Sequence, residues 1–125
     1  MTYSSYSGAN PMLTPLLLNN AAALVTTALG LIGLLLPTKA AQLTSIRPEG
    51  LLGTSEIRAT YGGFFLALGA YALYAQTDVV FAVAGVAWLG AAGGRLLSVV
   101  VDRSVSPKNL AAVAFEAAVG GMLVV

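Results

Sequence analysis

Four charged residues stand inside stretches of the chain that are otherwise apolar: Glu56, Arg58, Arg95 and Glu116. A charge in such a setting is costly enough to demand a partner, so two carboxylates and two guanidinium groups point first to ion pairing. A buried carboxyl can also carry a proton, yet no continuous relay of acids extends from these positions. The chain has neither His nor Cys. That removes thiolate zinc sites, iron–sulfur clusters, His-ligated haem and Ser-His or Cys-His nucleophiles together. The chemistry expected is that of a buried polar cluster, with no catalytic residue, no metal site and no cofactor.

The elements that must position these charges follow from composition. Of 125 residues, 58% are apolar and 9% are charged, against roughly 45–50% and about 25% in soluble domains. So small a soluble fold would need far more polar surface to cover its core. The sequence therefore predicts an all-α integral membrane protein, an antiparallel bundle of four transmembrane helices of about 20 residues each. The net charge of +1 includes no polybasic run, which argues against nucleic acid as a partner.

Residues 1–14 carry no charged side chain and read as a polar N-terminal arm, lacking the basic segment and cleavage site of a signal peptide. The transmembrane domain is expected over 15–125, with spans at about 15–36, 55–75, 79–101 and 107–125. Pro15 suits a first helical turn and Pro37 closes the first span. Thr54 or Ser55 is the expected N-cap of the second, which puts Glu56 in its first turn. The short connection at 76–78 forces a hairpin. Pro107 opens the last span. Lys39, Arg47, Arg103 and Lys108 fall in the two loops at one end and no basic residue falls at the other, so both termini are expected to be non-cytoplasmic.

Spacing assigns the charges to faces. Ala84, Trp88, Ala91, Arg95, Ser98 and Asp102 recur at alternating four and three, the pattern of one packed stripe. Ala112, Glu116 and Gly120 share a face of the last helix, where small neighbours allow close approach. Arg95 with Glu116 is the expected deep ion pair, supported by Ser98 and Asp102. Glu56 and Arg58 point some 200° apart, so only one of them can join directly. Glu56 is expected toward the third helix, whereas Arg58 can snorkel to the nearby interface. Small pairs (Ala22, Thr26 and Gly30; Gly90 and Gly94; Ala117 and Gly121) predict close helix packing. Tyr61, Tyr71, Tyr74 and Trp88 could line a lipid or quinone groove, Tyr74 being better suited to an aromatic belt at the interface.

The run Glu56-Ile57-Arg58-Ala59-Thr60-Tyr61-Gly62-Gly63, followed by Gly94-Arg95, Ser98, Asp102 and Glu116, resembles an uncharacterised family of small bacterial four-helix membrane proteins, a domain of unknown function distantly similar to DoxX-like proteins. The resemblance covers about residues 54–125, with the first helix agreeing only in hydropathy. It implies an inner-membrane bundle that keeps these charged positions, and brings no reaction, substrate or cofactor. Two functions are compatible with these readings. One is a non-enzymatic accessory or structural subunit docking on a larger membrane complex, of the electron-transport or photosynthetic kind. The other is a binder or carrier of a small lipophilic molecule, quinone or lipid, at the Arg95 and Glu116 site.

Overall fold

The computed structural model of the chain describes residues 11–125, and the first ten positions of the expected arm lie outside the described residues. The remainder of that arm is short, because α1 begins at Leu13 and runs to Leu35 (Leu13–Leu35). Every regular element among the described residues is helical: α2 (Pro37–Thr44), α3 (Gly50–Ile57), a π-helical segment (Arg58–Phe64), α4 (Phe65–Ala75), α5 (Asp78–Val101) and α6 (Pro107–Val124). Two of these, α1 and α5, are long and apolar enough to cross a membrane. The second expected span is an unbroken helical run over 50–75, interrupted in its hydrogen-bond pattern by the π segment. In α6, Pro107, Lys108, Asn109 and Glu116 dilute the apolar content.

Three expectations need correction here. Pro37 ends α1 but also opens α2, since a proline at the first helical position loses no hydrogen bond; the expected open loop is partly helix. The second long helix starts at Gly50, several residues before Thr54. Gly50 has φ +60°, and Glu49 before it is extended, so the turn after Pro48 leads straight into helix. Glu56 consequently lies beyond the first turn. The π segment is the third departure. Its wider i→i+5 spacing shifts the face on which later residues lie, which the 3.6-residue period does not anticipate.

Packing explains why small residues are placed where they are. A side chain on Gly33 would overlap the backbone of Tyr61, and one on Gly62 would stand 2.6 Å from the Leu34 nitrogen. α1 and the π segment therefore touch backbone to backbone, as small faces allow. The same holds for Gly30 against Leu66 and for Gly69 against Thr27. α1 also packs on α4 and α6, and α5 packs on α6 and α4. Ala22, Ala23, Ala72, Phe81, Ala84, Trp88, Val119 and Leu123 form the main core. Ala40, Ala41 and Ile57 form a second cluster under α2.

Side-chain bonds fix the ends. Asn19 donates from Nδ2 to the Met122 and Leu123 carbonyls at 2.8 and 3.3 Å, tying the start of α1 to the end of α6. Asn20 and Gln76 exchange amide hydrogen bonds at 3.1 and 2.6 Å, which holds the α4–α5 turn to α1. Ser106 caps α6 by accepting from the Asn109 backbone N–H at 3.1 Å.

Candidate binding cavity

The α5 stripe and the α6 face meet along the interface that α5 and α6 share. Arg95 Nε donates to both Glu116 oxygens at 3.0 Å, and Nη2 donates to Oε1 at 2.7 Å. Glu116 is 7% exposed, and this fork matches its carboxylate while neutralising it. Arg95 Nη1 donates to Asn109 Oδ1 at 3.0 Å, and Asn109 Nδ2 donates in turn to the Ser104 carbonyl at 2.7 Å. Asn109 was not among the expected site residues. It lies seven residues before Glu116 on the same face of α6, so extending the Ala112, Glu116 and Gly120 stripe toward the N-terminus finds it.

Ser98 and Asp102 stand one and two turns further along α5. The Ser98 hydroxyl donates to Asp102 Oδ2 at 2.8 Å and is 3.0 Å from that of Ser104. Through Ser104 and Asn109 the α5–α6 loop is thus connected to the ion pair. Asp102 itself is exposed and makes no contact with Arg95.

Glu56 and Arg58 do not join the cluster. Both are exposed, and Arg58 Nη1 donates to the Leu34 carbonyl near the end of α1. The expectation that Glu56 faces the third helix fails because the π segment holds an extra residue per turn and so breaks the α-helical stripe through Thr60 and Gly63. The deep cluster is the expected pair, joined by Asn109 in place of Glu56.

The pair forms one wall of a cavity of about 930 Å³ between α1, α2, the π segment, the first residue of α4, α5 and α6. Toward the middle of the helices it is lined by Leu29, Phe65, Trp88 and Phe115, and at the end where the basic loops lie by Ser45, Arg103, Ser106 and Lys108. Trp88 meets Phe65 and Phe115 edge to face at 5.2 and 5.9 Å. Its indole nitrogen donates to Thr26 Oγ1 at 3.0 Å. Tyr61 stacks on Phe65 at 6.2 Å and lines the cavity. Tyr71 and Tyr74 do not line it. They pair with each other on the surface, Tyr74 being 83% exposed near the far end of α4. Lys108 Nζ donates to the Gln42 carbonyl at 3.2 Å and to the Ser45 hydroxyl, joining α6 to the end of α2 beside the cavity mouth.

These features define a small all-helical protein in which one ion-paired, aromatic-lined cavity opens among apolar helices. The chain belongs to the family described as Domain of unknown function (DUF4345), which matches residues 17–125. The match takes in nearly all of α1, well beyond the 54–125 that the resemblance covers. No curated protein and no solved structure matches the chain.

Proposed function

We propose that the chain is a multi-pass membrane protein that binds a small lipophilic molecule in the cavity beside Arg95 and Glu116, without catalysing a reaction. In this reading four spans, α1, the 50–75 run, α5 and α6, form an antiparallel bundle in a bacterial inner membrane with both termini on the non-cytoplasmic side. Apolar side chains exposed along all four, such as Leu24, Phe64, Val86 and Leu110, support a lipid surround. The observation that carries the binding role is the cavity itself. Its volume falls within the roughly 300–1,000 Å³ of small-molecule sites, and its aromatic wall with a few convergent polar groups is their usual composition.

The test is purification of the full chain in a mild detergent, followed by native mass spectrometry. A lipophilic molecule should be retained by the native chain and lost from Ala91→Phe, which fills the cavity from α5. A native chain that retains nothing, or a filled variant that retains as much, overturns the reading.

A second reading, a subunit docked on a larger membrane complex, has its own support. Side chains built at Gly90, Gly93 and Gly94 on α5 and at Gly121 on α6 would meet open space, unlike those at the packed glycines of α1. Faces this small favour another helix. Migration on native gels only as a free monomer or simple homo-oligomer would sink it.

A further inference from the structure

We propose that the molecule held in this cavity is an amphiphile with an anionic head, a carboxylate or a phosphate, and a single apolar arm lying against Trp88, Phe65 and Phe115. The inference rests on the lipophile-binding reading and specifies its ligand. It begins from the charges that line the cavity, which are Arg95, Arg103, Lys108 and Glu116. Glu116 is already matched by Arg95, so two positive charges remain uncompensated in the lining. The other acids of the described residues, Glu49, Glu56, Asp78 and Asp102, do not line it.

Hydrogen-bond capacity has the same sign. A guanidinium has five N–H groups and an ammonium three. Arg95 spends Nε and one N–H from each of its terminal nitrogens, so two remain. Lys108 spends two of its three, on Gln42 and Ser45. Arg103 makes no side-chain hydrogen bond, and neither does the Tyr61 hydroxyl, which lines the same cavity. The surplus is in donors. Carboxylate and phosphate oxygens are acceptors, and charged donors grip them far better than they grip the neutral carbonyl of a quinone or an ester.

The axis of the cavity agrees with this. Its two unpaired cations, Arg103 and Lys108, lie at the helix ends where the basic loops are, and its aromatic wall lies two to four turns deeper along α5 and α6. An amphiphile in one leaflet has the same polarity, with its head among Lys and Arg at the interface and its chain toward the midplane. It could enter sideways from that leaflet and keep its orientation throughout.

The test uses the full chain in maltoside micelles, with dansylaminoundecanoic acid and its methyl ester as fluorescent probes. The acid should bind at least about tenfold tighter than the ester, the worth of one charge-assisted hydrogen bond. Arg103→Gln and Lys108→Gln should each remove much of that margin, whereas Lys39→Gln, on α2 and outside the lining, should leave it intact. Laurate and dodecyl phosphate as competitors separate the two heads: stronger displacement by one identifies a fatty carboxylate or a phosphate-headed lipid. Equal binding of acid and ester, with displacement by decylubiquinone, overturns the anionic head while the lipophile reading stands. Preference for the acid that survives both substitutions overturns the placement of the head. If neither probe binds and the native chain retains no lipophile, the underlying reading falls and this one with it.

Discussion

Trp88 and Thr26, 62 positions apart, meet through a 3.0 Å hydrogen bond from the indole nitrogen to the hydroxyl, and both side chains are buried. The hydroxyl in turn donates to the Ala22 carbonyl at 2.8 Å. A residue of α1 thus sets the orientation of the largest ring in the cavity wall. Thr26→Val keeps the shape and removes the acceptor, leaving an unsatisfied buried N–H. A loss of about 1–3 kcal/mol is expected, with Thr26→Ser retaining most of the stability. Thermal melts followed by Trp88 fluorescence measure both, and an unchanged midpoint for Thr26→Val would refute the coupling.

Glu116→Gln should leave Arg95 charged and poorly matched in a half-buried site. Breaking a fully buried pair from one side costs about 3–5 kcal/mol, and the loss here should be smaller because the Arg95 side chain is 36% exposed, whereas replacing both members with apolar residues can be neutral. Arg95→Leu combined with Glu116→Leu should therefore melt well above Glu116→Gln. Ligand retention separates structure from function in that double variant: a stable protein that still holds its lipophile would show that the pair only fixes helix packing.

Gly33 and Gly90 should respond oppositely to the same change. Gly33→Ala drives a methyl into the Tyr61 backbone and should separate α1 from the π segment, with severe loss of folded protein. Gly90 has open space around it, and Gly90→Ala should gain up to about 1 kcal/mol from helix propensity. If Gly90→Ala instead releases the protein from a complex on native gels, its face is a docking surface.

Topology has a direct check. Reporter fusions at Val125 and within the 38–49 segment should give opposite responses if the chain crosses the membrane four times, and identical responses would end the four-span reading.

The pairing of Arg95 with Glu116 was legible because each lies in a regular α-helix, where three-and-four spacing fixes direction and a charge in an apolar stripe needs a counter-charge. The same logic misplaced Glu56. Its direction relative to α4 depended on a π segment that one period cannot describe. Gly62 and Gly63 mark that segment, but in sequence they look like any small-residue contact. Arg58 found a carbonyl of α1 in place of a carboxylate, a partner that no side-chain pattern records. α2 was missed since Pro37 reads equally as a stop and a start. Asn109 falls inside the expected last span, and its spacing of seven from Glu116 marks it, but an uncharged amide near a helix start does not stand out as a partner for an arginine. Of the aromatics expected along a groove, Tyr61 and Trp88 do line the cavity, but its remaining walls come from α1, α2 and α6, distant in sequence, and no spacing pattern brings them together.

The π segment gives the chain slack in its own length. A π turn holds one residue more than an α turn within a single revolution, so removing one residue from Arg58–Phe64 gives back an ordinary α-helix while the helix on either side keeps its facing. Only residues inside the segment would be re-seated, Gly62 against Gly33 among them. The same deletion inside α4 has no such slack and would turn everything before it by about 100°. Circular dichroism would read similar helix content for both, and the α4 deletion would cost far more of the packing on α1.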